Sequence, residues 1–269
     1  QLEVDGLLHY DPRYWLFCDW SPTLHKKGIP SLYNLFVLWA MKSGKELSAL
    51  SADKKHLDRF SSLADKLEKS ITERLYQADT GILAEGFSEE GELILEMSPH
   101  SAAIAILLDL FSESHAKWIK DIILPILKNR HTAAVQPSPY FMYYIFEALK
   151  KKEAYNKEIV DCIKLYWGEF LAADCVTTPE NWLEIVINGE WSRCHAWSAH
   201  PIYNFSAILL GVKQLKPGWQ EVAFSPYMIK GEKVSGVVPT PFGDIEVSWD
   251  WTKETPEKKI NLPEGITLK

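Results

Sequence analysis

At 269 residues and 46% hydrophobic content, the chain can bury a full core, as one domain or as one large domain with a small appendage. A formal charge of -7, with Lys and Arg scattered rather than striped, excludes a nucleic-acid footprint and leaves neutral ligands or small molecules as the expected partners. No apolar run is long enough to span a bilayer, so no membrane partner is expected.

No signal peptide is present, which favours a cytoplasmic over a periplasmic location. The opening Gln1-Leu2-Glu3-Val4-Asp5-Gly6, with no initiating Met, reads as the interior of a longer protein. Cys18, Cys162, Cys175 and Cys194 are far apart and form no C-x-x-C pair, so free buried thiols are expected rather than a zinc site or a disulfide framework. Nothing in the sequence fixes the oligomeric state.

Residues 6–30 are rich in aromatics, and Pro12, Pro22 and Pro30 forbid a continuous helix there, which predicts a long ordered loop. Residues 31–48 then place Leu32, Leu35, Phe36, Leu38, Trp39 and Leu47 at helical spacing. A second stripe through Leu57, Phe60, Leu63, Ala64, Leu67 and Ile71 predicts a partner helix over 53–76, completing a helical hairpin. Gly81, Gly86 and Gly91 mark a small β-hairpin or meandering loop over 77–97.

Ser98-Pro99 is a helix start, with an N-cap hydroxyl followed by proline at the first helical position. The helix it opens, 99–111, is apolar nearly all round and is expected to be central, with His100 as a buried, hydrogen-bonded core residue. Further helices are predicted over 115–127, 138–151, 153–172 and 197–210, the last closed by Gly211. Seven helices in succession describe a helical toroid or part of one.

From Lys213 the period becomes two. Residues 245–251 alternate apolar and polar and can pair with 233–238 across Pro239-Thr240-Pro241-Phe242-Gly243, while 220–224 is a weaker strand. This tail is expected to be too short for a core of its own, and so to pack on the helices or on β structure from elsewhere.

Chemistry concentrates between Trp167 and Pro201. A carboxylate (Glu180), two imidazoles (His195, His200) and several indoles, Trp182 and Trp197 among them, stand on one connection between apolar helices, where a rigid scaffold aims accessible backbone. Indole faces suit the apolar faces of sugar rings, and carboxylates and imidazoles bond hydroxyls or move protons. By residue type alone, Glu180 is either a general base partly withdrawn from water or a loop carboxylate capping a helix.

Asp19-Trp20 is similar in kind: a ligand site, or an Asx turn beside a packed indole. His195 and His200 stand five apart, not at the i, i+4 spacing of a zinc helix, so no metal is expected. No phosphate loop, nucleophile elbow or kinase signature is present, which argues against nucleotide chemistry.

These residues resemble a family. Trp167, Phe170-Leu171, Thr177, Glu180, then Ser192-Arg193-Cys194-His195-Ala196-Trp197-Ser198-Ala199-His200-Pro201 and Leu210-Gly211-Val212, are similar to the C-terminal half of bacterial α-L-rhamnosidases of glycoside hydrolase family 78. Val237-Val238-Pro239-Thr240-Pro241-Phe242-Gly243 is similar to the family's terminal β-domain, and Asp5-Gly6-Leu7-Leu8 with Phe17-Cys18-Asp19-Trp20 resembles the stretch leading into its later barrel hairpins.

The resemblance implies a mainly α chain with C-terminal β structure. Residues 1–211 would be part of an (α/α)6 barrel, incomplete at the N-terminus, and 212–269 a β-sandwich-like domain. It implies removal of terminal α-L-rhamnose with inversion and no cofactor. Glu180 would be the general base, with Glu184 as the fallback, and Asp19, Trp20, Trp182, His195 and Trp197 would line the sugar site.

The family pattern around the base, Ala-Thr-Thr-x-Trp-Glu, is altered here: Val176 stands for its first threonine and Pro179 for its tryptophan. The acidic motif with Asp-Glu-Arg and Gly-Trp that carries the family's general acid has no counterpart in the chain. That places the acid in upstream sequence and makes the isolated chain nearly inactive. Two other readings stand beside this one: a different (α/α)-barrel exo-glycosidase or uronic-acid lyase, for whose carboxylate only Arg193 is on hand, and a non-catalytic carbohydrate-binding module.

Overall fold

A computed structural model describes residues 6–152 and 154–269. Asp5, which opens one of the family-like stretches, and Glu153, the expected first residue of a helix, lie outside the described residues. The chain divides into two compact units, Gln1–Ala154 and Tyr155–Lys269. The fold is mainly helical, with two small sheets within residues 29–94 and two three-stranded sheets at the C-terminal end. No helix among the described residues is long and apolar enough to cross a membrane.

In the first unit a loop leads to strand β1 (Ile29–Pro30) and then to the hairpin of α1 (Ser31–Leu50) and α2 (Lys54–Arg74). Asp53 caps α2 by accepting from the His56 amide at 3.1 Å. Leu32, Leu35 and Leu38 of α1 are buried, as are Ala64, Leu67 and Ile71 of α2. The ring of Phe60 lies so close to Gly44 that a Cβ there would meet ring carbons at 3.0 Å, so glycine sets the approach of the two helices.

Short strands follow, as the three glycines predict. β2 (Tyr76–Gln77) pairs with β3 (Ile82–Leu83), and β4 (Gly86–Phe87) joins β1 to β5 (Leu93–Ile94). Helix α3 (Pro99–Leu107) is capped by Ser98, whose hydroxyl accepts from the Ser101 amide at 3.2 Å. Its residues from Pro99 to Ile106 are all buried, which makes it the centre of this unit, as its uniform apolarity requires.

The helix predicted over 115–127 is interrupted. α4 (His115–Trp118) passes into a π-helical turn (Ile119–Ile123) before α5 (Leu124–Lys128). Pro125 lacks an amide donor and crowds the carbonyl four residues back, so the wider turn takes up the strain. The next helix, α6 (Met142–Lys150), starts four residues later than expected because Ser138 is engaged elsewhere, as described below.

The second unit holds α7 (Asn156–Ala172), the single turn α8 (Leu183–Val186), α9 (Pro201–Ile208) and six strands. β6 (Val212–Gln214) and β7 (Glu221–Phe224) are antiparallel, and β11 (Thr267–Leu268) adds to β7 in parallel. β8 (Lys233–Thr240), β9 (Gly243–Asp250) and β10 (Glu257–Asn261) form an antiparallel meander whose hairpin turns at Pro241-Phe242. The tail packs on the end of α9, as expected, with the Trp249 indole N–H donating to the Leu209 carbonyl at 2.7 Å, and its two sheets share a core there: Val212, Val222, Val238, Ile245, Val247 and Ile266 meet Leu210, with Trp219, Phe224 and Leu262 packed against them. Two small sheets facing one another bury what either alone would leave wet.

Among the cysteines, Cys18 and Cys162 are buried as expected, Cys175 is half-buried and Cys194 is exposed. Beneath the first unit's strands, buried His115 donates from Nε2 to the Leu110 carbonyl at 2.7 Å, and its Nδ1 has no partner. Burial disfavours the charged imidazole and lowers its pKa below 6.5. A lowered folded pKa means that this contribution to stability is complete above 6.5 and is lost as pH falls through the folded value. Denaturation midpoints should therefore fall between pH 7.5 and 5, and His115→Gln, which keeps a donor for Leu110, should show a shallower fall; equal slopes in the two proteins would contradict this.

Candidate active site

The site grows from the end of α7. Trp167 and Phe170 lie buried on its last turns and pack against buried Trp182 with ring centroids at 5.4 and 6.1 Å; Tyr166 adds a third contact at 5.5 Å. The Trp167 indole N–H donates to the Ser198 carbonyl at 2.7 Å, tying the helix end to the short 3-10 turn at Ala196–Ser198. An aromatic block thus backs the connection on both sides.

In front of it, residues 177–181 and 192–198 run alongside each other. The Glu180 amide donates to the Ser192 carbonyl at 2.9 Å, and the Ser192 amide returns a bond to Glu180 Oε2 at 3.1 Å. The His195 amide donates to the Thr178 carbonyl at 2.8 Å, while the Thr178 hydroxyl donates to the His195 carbonyl at 3.1 Å. Thr177 bonds the Arg193 carbonyl through its hydroxyl, and the Trp197 indole N–H donates to the Glu180 carbonyl at 2.9 Å.

The result is a carboxylate aimed by its neighbours. Glu180 has a side chain only 16% exposed, with one oxygen fixed by a main-chain donor. His195 Nδ1 stands 3.8 Å from the same oxygen, too far for a hydrogen bond but close enough for Coulomb attraction when the imidazole is charged. The imidazole packs against Trp197 with centroids at 4.1 Å. A half-buried carboxylate beside an imidazole and an indole, on a turn open to water, can bind hydroxyls and take a proton from water.

Of the residues singled out from sequence, the structure therefore brings Glu180, His195 and Trp197 together, with Trp182 2% exposed in the block behind them. Glu184 lies exposed on α8. His200 packs edge-on to Trp167 at 5.0 Å. Ser192 stands in the family-like motif, but its role, a main-chain amide donated to Glu180, leaves no residue-type signal, and Thr178, which bonds the His195 carbonyl through its hydroxyl, was not singled out. Among the described residues, no three His, Cys, Asp or Glu side chains converge as a metal site would require.

Asp19 and Trp20 belong to the first unit. Asp19 is fully buried: Oδ1 accepts from the Trp20 amide at 2.8 Å and from the Ser138 hydroxyl, and Oδ2 from the Ser138 amide at 2.9 Å and His100 Nε2 at 2.7 Å. His100 is the buried, hydrogen-bonded residue expected, and Asp19 has none of its surface toward solvent. Burial also pushes the neighbouring Cys18 thiol up to about 12, so it stays protonated. Trp20 is half-buried, 5.1 Å from the Phe17 ring.

Residues 211–269 match the bacterial α-L-rhamnosidase C-terminal domain. The chain is similar to the glycoside hydrolase family 78 rhamnosidase of Bacillus sp. GL1, at 28% identity and a TM-score of 0.83, over 99% of this chain and 28% of that one. An α-L-rhamnosidase of Alteromonas sp. is 28% identical over 112 residues, which are 34% of this chain and 12% of the relative. The Streptomyces avermitilis α-L-rhamnosidase, solved with L-rhamnose, shares the fold, with a TM-score of 0.69, 13% identity, and coverage of 99% of this chain and 25% of its own. The chain is thus similar along nearly its whole length to the C-terminal region of family 78 α-L-rhamnosidases, as the sequence motifs imply, and it spans less than a third of those enzymes.

If the indole bond to the Glu180 carbonyl helps to hold the turn, Trp197→Phe should lower stability by about 0.5–1.5 kcal/mol, read by urea denaturation monitored by circular dichroism. An unchanged midpoint would mean that the bond contributes nothing.

Proposed function

We propose that this chain is the general-base portion of an enzyme that removes terminal α-L-rhamnose from glycosides by inverting hydrolysis. The observation that carries the reading is the held carboxylate of Glu180, one oxygen bonded to the Ser192 amide and flanked by His195 and Trp197. The 28% identity to the Bacillus enzyme over 99% of the chain supports the substrate class, and the rhamnose complex of the Streptomyces relative is consistent with it.

In this reading Glu180 deprotonates the water that attacks the anomeric carbon. Inversion needs a second carboxyl about 6.5–9.5 Å away to protonate the leaving oxygen, leaving room for that water between them. We assign this acid to sequence outside the 269 residues, since no Asp-Glu-Arg motif occurs within them. Trp197 stacks on a sugar face and His195 bonds a ring hydroxyl. Trp182, enclosed behind them, backs the Glu180 turn.

For the architecture we propose that residues 1–211 are part of an (α/α)6 barrel and 212–269 a β-sandwich-like domain; the family match beginning at 211 supports that boundary.

In the intact enzyme, Glu180→Gln should lower kcat on an aryl α-L-rhamnoside by about 10²–10⁴-fold with a small change in KM, as loss of a general base does. Turnover within a few-fold of wild type would refute the assignment.

A further inference from the structure

Between Thr178 and Glu180 the two halves of the site lose step by one residue. Thr178 faces His195, joined by the His195 amide to the Thr178 carbonyl at 2.8 Å and by the Thr178 hydroxyl to the His195 carbonyl at 3.1 Å. Two residues on, Glu180 faces Ser192, its amide donating to the Ser192 carbonyl at 2.9 Å and its carboxylate accepting from the Ser192 amide at 3.1 Å. Pro179 alone thus stands opposite both Arg193 and Cys194, the two-against-one count of a β-bulge. A proline suits that place, since it brings no amide that the offset would strand.

The offset decides what the acid meets. Counted one for one from Thr178 and His195, the residue opposite Glu180 would be Arg193. Directly opposed side chains share a face, with Cβ atoms about 4.5–5.5 Å apart, so carboxylate and guanidinium would pair. Such a pair lowers a carboxylate's affinity for a proton, the opposite of what a general base requires. With the extra residue, a main-chain amide takes that place and Arg193 lies exposed.

An extra residue leaves backbone groups without partners across the pair, and here side chains supply them. The Thr177 hydroxyl donates to the Arg193 carbonyl. The Ser192 hydroxyl donates to the Cys194 carbonyl at 3.0 Å and accepts from the Cys194 amide at 3.3 Å. We propose that Thr177 and Ser192 are positioning residues whose hydroxyls fix this offset and so keep Arg193 off Glu180. The role rests on the reading of Glu180 as general base; the offset itself rests on the hydrogen bonds. Each hydroxyl acts through the backbone it bonds rather than on the carboxylate.

The test is steady-state kinetics of the intact enzyme on an aryl α-L-rhamnoside. Thr177→Val should lower kcat about three- to tenfold, the scale of one lost hydrogen bond, with KM within about twofold of wild type. Thr177→Ser, which keeps the hydroxyl, should turn over as wild type. Arg193→Ala should change little alone yet return most of what Thr177→Val loses, because no guanidinium is then left to reach Glu180. Ser192→Ala should repeat both the loss and its recovery, and gives the reading if Thr177→Val does not fold. Loss that Arg193→Ala does not relieve would make the hydroxyls merely structural, and full turnover in Thr177→Val and Ser192→Ala would show that the offset holds without them; each overturns the proposal. Glu180→Gln, run alongside, separates the two readings: if it alone loses turnover, only the role of the hydroxyls falls, and if it turns over as wild type, the base assignment falls and takes this one with it.

Discussion

The exchange of hydrogen bonds between Glu180 and Ser192 is the constraint on which the second unit's site depends. The Glu180 amide is satisfied by the Ser192 carbonyl and the Ser192 amide by the Glu180 carboxylate, so one side chain completes a pairing that the main chain begins. A carboxylate otherwise loses water on burial at considerable cost, and a main-chain donor offsets that cost while fixing its direction. Thr178 and His195 repeat the pairing on the other side of Pro179, and Trp197 closes it through the Glu180 carbonyl. The aromatic block of Trp167, Phe170 and Trp182 gives this irregular backbone a rigid support.

A second buried carboxylate organises the first unit by the same logic. Asp19 accepts from donors on the early loop, on α3 and on the segment before α6, joining three stretches that the sequence keeps far apart. Four donors around a fully buried acid make replacement by an apolar residue costly, since each donor would be left unpaired. The loop therefore stays ordered despite its prolines and keeps Trp20 and its neighbouring rings in one arrangement.

Much of this was legible in the sequence, and the failures have physical causes. Helical spacing marked α1, α2 and α3, and the Ser98-Pro99 start was read correctly because capping is local. Alternation over Ile245, Val247 and Trp249 fixed the face of β9, yet β10 hid behind Lys258 and Lys259, which suit an exposed strand and look like a loop. The late start of α6 was invisible because the Ser138 partner lies 119 residues away. Glu180, His195 and Trp197 could be grouped by residue type; which indoles are enclosed could not, for Trp182 and Trp197 differ only in the packing each finds. That the β tail packs on the helices was legible; that its two sheets also share a core was not, because this depends on β6 and β11, which are too short to show a period.

The account turns on residues 177–181 and 192–198 being one fixed unit rather than two loops that happen to be near each other. Amide hydrogen exchange at Glu180, Ser192 and His195 reports this directly, since each of these N–H groups donates across the pair. The account predicts that all three exchange slowly and with a common protection, as one cooperative opening requires. Exchange of the Ser192 and His195 amides at the rates of an unstructured peptide would contradict it, and Glu180 would then lack the support on which its proposed role rests.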